Sequence, residues 1–224
     1  AAMKTAAPDF KIMWDNAYCV HHLTDTHDVI LNMLEECRKA GHEDRALMFC
    51  SLSKVTFPGA GVAAMAASRR NIDYILKNMF PMIISFDKLN QVRHIRFLKD
   101  MDGLAAHMEK HRALLEPKFR AVLAILDEGL SGCGSIARWT KPNGGYFLSL
   151  YTLGGCAKRT VQLCREAGVV LTDAGAAYPY GVDPQDSNIR IAPTFPPLDE
   201  LETASRLLCV CVRIATLEKL LQRQ

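Results

Sequence analysis

The sequence is short of several things, and each shortage removes a class of function. Its charges nearly cancel, with 27 basic against 24 acidic residues and a formal charge of +3. A balance this close argues against a broad nucleic-acid surface, which needs a concentrated basic field. No apolar run reaches the roughly 18 residues that a membrane-spanning helix requires, so no membrane partner is expected. The eight cysteines contain no Cys-x-x-Cys pair, which removes the common zinc and dithiol motifs. There is no internal repeat and no low-complexity segment, so solenoid architectures are excluded. Gly59-Ala60-Gly61 is too short for a dinucleotide fingerprint. His107 and His111 stand four apart on a helical stretch, but two ligands do not make a metal site, and both are read as solvent-facing.

What remains is a chain of 224 residues, 49% hydrophobic and 23% charged, an ordinary composition for one large globular domain or two small ones. Most cysteines sit in apolar stretches such as Leu47-Met48-Phe49-Cys50. A free cysteine behaves there as a small buried hydrophobe. A reducing, cytoplasmic location is therefore expected rather than a disulfide framework.

Along the chain, Ala1 to Ala7 reads as the last turns of a helix, broken by Pro8. Phe10 to Trp14 and Ala46 to Cys50 read as buried strands, with a helix over residues 28–40 between them and a third strand over Val62 to Ala67. Strand–helix–strand order implies an α/β unit with a mainly parallel sheet. Residues 86–130 read as helical, with Pro117 starting a new helix or kinking a long one. The last third is mixed. Strands are expected over residues 146–151, 169–172 and 189–191, and helices over 157–167 and 199–222. A boundary near Pro117 divides the chain into residues 1–117 and 118–224.

Three residues stand out for chemistry. Asp15 ends the first strand, Lys54 follows the second in Ser51-Leu52-Ser53-Lys54, and Arg190 lies between two isoleucines. Ligands of open α/β sheets bind outside the carboxyl ends of the strands, which suits Asp15 and Lys54. Each also has a plain reading: a carboxylate at a strand end caps a helix, and a lysine after two serines belongs to a loop. Arg190 is less ordinary, because an unpaired buried charge is costly and calls for an acidic side chain or an anionic ligand.

Taken in order, these segments resemble the class I, fold-type I pyridoxal-phosphate aminotransferases. Asp15-Asn16-Ala17-Tyr18, Lys54-Val55-Thr56-Phe57-Pro58-Gly59-Ala60-Gly61-Val62 and Asn188-Ile189-Arg190-Ile191-Ala192-Pro193 carry the likeness. It is closest to the MocR-like, aspartate aminotransferase-like group and extends over the whole chain. The resemblance implies an α/β fold: the C-terminal part of the cofactor-binding large domain, then a small α+β domain. It implies pyridoxal 5'-phosphate as cofactor, bound as a Schiff base by Lys54, which also moves the substrate α-proton. Asp15 then faces the pyridine nitrogen, Tyr18 donates to the ring's phenolate oxygen, Ser51 and Ser53 bond the phosphate, and Arg190 clamps the substrate carboxylate. The implied partners are an amino acid (aspartate or glutamate), a 2-oxo acid and a second copy of the protein. Many class I members have an arginine eight residues after the lysine, where this chain has Val62. Family members run to roughly twice this length, with the cofactor lysine past their middle, so the chain reads as a C-terminal portion. Two rival readings follow from the same likeness: the effector-sensing module of a MocR-type transcription regulator, or an inert fragment holding half of a site.

Overall fold

A computed structural model of the chain describes residues 1–222. They form two compact units. The first comprises residues 1–20 and 27–110, the second residues 21–26 and the described residues from 111 onward.

The first unit holds a three-stranded sheet. β1 (Ile12–Asp15) pairs in parallel with β2 (Ala46–Ser51), Asp15 lying opposite Phe49. The connection includes α1 (Met33–Lys39), whose N-cap Asn32 accepts from the Glu35 amide at 3.3 Å. This helix is shorter than the expected residues 28–40, because a cap side chain bonding the backbone fixes where it begins. β3 (Ala63–Ala67) is antiparallel to β2, so this sheet has one parallel and one antiparallel pair where a mainly parallel sheet was expected. The reason is the short link over residues 52–62: a parallel return needs a crossover of about a dozen residues or more, usually helical. α2 (Arg69–Met79) and α3 (Lys88–Leu98) follow, capped by Ser68 and Asp87. The expected helix at Ala1 to Ala7 is absent; that stretch is non-helical.

A long helix, α4 (Met101–Leu130), contributes its first ten residues to the first unit and the rest to the second. Pro117 lies within this single helix and does not start a new one. Its missing N–H forfeits one backbone bond, and apolar packing of the following turns compensates.

The second unit has the antiparallel sheet β4 (Ala137–Trp139), β5 (Leu148–Thr152) and β6 (Asn188–Ile191), in that spatial order. β5 alternates between buried and half-buried positions, the mark of a strand with one covered face. Its core joins Leu126 and Leu130 of α4 to Leu148, Leu150 and Ile189 of the sheet. Val161 and Cys164 of α5 (Ala157–Glu166) and Leu208 and Val212 of α6 (Leu198–Leu221) complete it. Burial pushes the Cys164 thiol up to about 12 and the Cys209 thiol to about 11, so both pack as neutral groups. Residues 169–172, expected as a strand, form none. The Val169 amide instead bonds the Cys164 carbonyl at 2.8 Å, closing the end of α5, while Val169 and Leu171 still pack on the core. No described helix is long and apolar enough to cross a membrane.

Candidate active site

In the first unit, the parallel pair brings the two chemistry-bearing segments to one edge. The Asn16 amide bonds the Phe49 carbonyl at 2.8 Å, locking the residue after Asp15 beside the end of β2. Asp15 is exposed, and its Oδ1 accepts from the Ala17 amide at 3.0 Å. That bond shapes a turn rather than capping a helix. Tyr18 is half-buried just beyond. Cys19 adjoins it, and burial, reinforced by the nearby Cys50 thiol, raises its pKa and keeps it protonated.

From the end of β2 the chain folds into a tight turn. The Leu52 carbonyl accepts from the amides of Val55 (3.0 Å) and Thr56 (2.9 Å), and the Leu52 amide bonds the Val62 carbonyl at 2.9 Å. Lys54 lies at the crest of this turn, exposed to solvent. Ser51 Oγ accepts from the Ser53 amide at 3.1 Å and lies 2.8 Å from Ser53 Oγ. The two hydroxyls bring two protons to one mutual bond, so one O–H remains to donate outward. Gly61 crosses directly over this pair: a Cβ there would stand 2.9 Å from both the amide nitrogen and the hydroxyl of Ser53. Only a residue without a side chain lets the strand return so close. The edge thus offers one amine, a spare hydroxyl proton, a phenol and a carboxylate, with a bare backbone cradle at Gly61. That donor set fits an aldehyde-bearing, phosphorylated pyridine: amine for the aldehyde, hydroxyls for the phosphate, carboxylate for the protonated ring nitrogen.

Side chains of α3 and α4 hold this turn, Asn90 and His94 having drawn no notice in the sequence and His107 having been expected at the surface. Asn90 of α3 donates its amide to the Ala60 carbonyl at 2.7 Å. His94, one helical turn on and buried, sits 2.8 Å from Thr56 Oγ1 through Nε2. His107 places Nε2 2.8 Å from the Val55 carbonyl, which can only accept, so Nε2 carries the proton. His107 is therefore half-buried and engaged, not solvent-facing as expected; its ring also meets Phe97 edge-on, 5.1 Å between centroids. The i, i+4 pair Asn90 and His94 on one helix face was the available signal.

Arg190 lies in the second unit, on β6 opposite Ser149. Its guanidinium carbon stands 4.8 Å from the centroid of the Phe147 ring. Its Nε is buried without a hydrogen-bond partner, and among the described residues Arg190 forms no ion pair. Of the two partners expected for this charge, the acidic side chain is thus not supplied by the described residues. His21, also in this unit, is buried with its ring edge-on to Tyr146 at 4.9 Å. Among the described residues, no three His, Cys, Asp or Glu side chains gather as a metal ligand set.

This α/β arrangement is that of the aminotransferases. A solved α-aminoadipate aminotransferase from Thermus thermophilus, complexed with N-(5'-phosphopyridoxyl)-L-leucine, shares the fold with a TM-score of 0.73 over 92% of this chain and 51% of its own, at only 21% identity. All 224 residues match the family described as aspartate amino-transferase, and the chain belongs to that family. It is 44% identical over 218 residues to an aspartate aminotransferase of Corynebacterium glutamicum, covering 97% of this chain and 50% of that protein. The crystal structure of an aspartate transaminase from the same organism superposes with a TM-score of 0.93, covering 97% of this chain and 51% of that one. A Mycolicibacterium smegmatis protein bearing an aminotransferase name is 49% identical over 219 residues, 98% of this chain and 51% of its own. The chain thus spans about half the length of the curated relatives it matches.

Proposed function

We propose that this chain is the C-terminal portion of a pyridoxal-phosphate-dependent aminotransferase of the MocR-like group. It moves an amino group between an amino acid and a 2-oxo acid by a ping-pong route. Aspartate or glutamate is the proposed amino donor, a choice that rests on the family and on the name of the Corynebacterium glutamicum relative. The observation that carries the reading is the Ser51-Leu52-Ser53-Lys54 turn, set at the same sheet edge as Asp15 and roofed by Gly61. Residues 1–117 serve as part of the cofactor-binding large domain and residues 118–224 as the small domain. The working form is a cytoplasmic homodimer.

When bound, the cofactor supplies an electron sink that weakens the substrate's Cα–H bond. Lys54 would hold it covalently through Nζ, and the amine of Lys54 would take and return the substrate's α-proton. Asp15 keeps the ring nitrogen protonated as an anion facing a cation. Tyr18 donates its phenolic proton to the ring oxygen, and the outward hydroxyl proton of the Ser51–Ser53 pair goes to the phosphate. Arg190 binds the substrate carboxylate. A planar fork with an unsatisfied Nε, braced on an aromatic face, suits two-point recognition of a carboxylate.

The test is chemical labelling. Full-length protein incubated with pyridoxal phosphate and then borohydride should carry the reduced cofactor on Lys54 in peptide maps. Lys54→Ala should carry none, with transamination down by orders of magnitude. A label on a different lysine refutes the assignment.

A further inference from the structure

We propose that His94 is a positioning residue, acting through Thr56 to fix the turn that presents Lys54. The inference rests on the reading of Lys54 as the cofactor lysine and adds a role that the motif itself does not contain.

The turn that carries Lys54 is fixed by backbone hydrogen bonds. Two residues on, Thr56 turns back: its amide and its Oγ1 reach the Leu52 carbonyl at 2.9 and 3.1 Å. The same Oγ1 lies 2.8 Å from His94 Nε2. His94 Nδ1 is 2.9 Å from the Asn90 carbonyl, an acceptor only, so Nδ1 carries a proton. In the neutral ring Nε2 is then an acceptor, so the single Thr56 hydroxyl proton goes to Nε2 at 2.8 Å and the Leu52 carbonyl keeps the Val55 and Thr56 amides as its donors. Asn90 reaches from the same helix to the Ala60 carbonyl. One helix face therefore grips the loop twice, at Thr56 behind Lys54 and at Ala60 before the glycine that crosses Ser53.

Burial singles this pair out. His94 is 6% exposed in a unit where few side chains of any kind are enclosed. A buried imidazole with a partner within 2.9 Å of each nitrogen is fixed in orientation, and it fixes in turn the threonine it meets. The amine of Lys54 must reach one carbon of its cofactor, and a misplacement of about 1 Å at such a centre costs on the order of a hundredfold.

The experiment measures attachment rather than turnover. Full-length protein stripped of cofactor is mixed with pyridoxal phosphate, and borohydride quenches at set times quantify label on Lys54. The pH midpoint of the bound cofactor's absorbance band and the melting temperature are recorded alongside. Thr56→Val, which keeps shape but removes the hydroxyl, should slow labelling by about tenfold or more and shift the spectral midpoint. His94→Leu should do the same, whereas Thr56→Ser should restore both values. If His94→Leu does not fold, the Thr56→Val and Thr56→Ser pair decides. Wild-type labelling rate and midpoint in Thr56→Val overturn the positioning role while leaving Lys54 intact as the cofactor lysine. Label on another lysine in the wild-type protein overturns both.

Discussion

In the second unit Leu126, Leu130, Leu148, Leu150 and Ile189 are all but sealed from solvent; in the first, the buried apolar residues are Cys37, Ala46, Val55 and Met108. The first unit instead exposes Met13, Phe80, Met82 and Ile84, the last at 87%. The contrast follows from connectivity. In the second unit, β5 pairs on both sides and α4, α5 and α6 pack on the resulting sheet, so that residues after 111, with Leu23 from the short segment 21–26, close one core. In the first, three short strands carry mostly half-exposed side chains, and the helices after them leave large apolar residues in water. Exposed apolar area on this scale is either a surface for packing or a liability. The proposed chemistry divides along the same line, with cofactor residues on the loosely buried unit and the carboxylate-binding arginine on the well-buried one.

The largest effect should be kinetic. Segments with few buried contacts open at low free energy and are cut first. Limited proteolysis of the 224-residue chain, followed by mass spectrometry, should place early cuts within residues 1–90. Fragments beginning after about residue 117 should persist roughly tenfold longer. Early cuts spread evenly over both units would break the comparison.

Point substitutions sharpen it. Leu150 of β5 is fully buried in the core cluster, so Leu150→Ala should cost about 2–5 kcal/mol in urea unfolding. Met13 is 73% exposed on β1, so Met13→Ala should stay within about 0.5 kcal/mol. Equal losses at the two sites would mean that the first unit has a core comparable with the second.

The same division governs what could be read from sequence. Period and punctuation sufficed for β1, β2, β5, β6, α5 and α6, whose apolar residues alternate or recur on one face and end at glycine or at a polar residue. They failed where a short-range bond overrode the pattern: Val169 to Thr172 has a strand's composition, but its first amide is taken by the end of α5. β3 was legible as a strand but its antiparallel direction was not, because an apolar run carries no strand direction. At the candidate site, Asp15, Ser51, Ser53 and Lys54 were legible as a motif. The clamp of Asn90, His94 and His107 was not, since its partners lie 30 to 52 residues away and only the fold brings them to the turn. Gly61 was legible as a glycine but not as the residue that lets the strand cross Ser53.

A pH-dependent effect tests a bracing point of the second unit, next to the strand that carries Arg190. Asp183 is buried, and its carboxylate accepts from the amides of Gln185 (2.9 Å), Ser187 (2.7 Å) and Asn188 (2.8 Å), with the Ser187 hydroxyl at 3.3 Å. Burial alone would raise its pKa, but the bonds from Ser187, Gln185 and Asn188 together outweigh it and leave the pKa lowered. A carboxyl whose pKa is lower in the folded state stabilises the fold above its unfolded value of about 3.9. That contribution is lost as the pH falls through the lowered folded value. Asp183→Asn removes the charge while keeping the shape. It should therefore destabilise the protein at pH 7 by about 1–3 kcal/mol, the range for hydrogen bonds to charged groups. The gap in melting temperature between wild type and Asp183→Asn should hold from pH 7 to about pH 5, then shrink on further acidification. A gap that stays constant down to pH 2 would mean that the three amides gain nothing from the charge, and that the turn into β6 is set by shape alone.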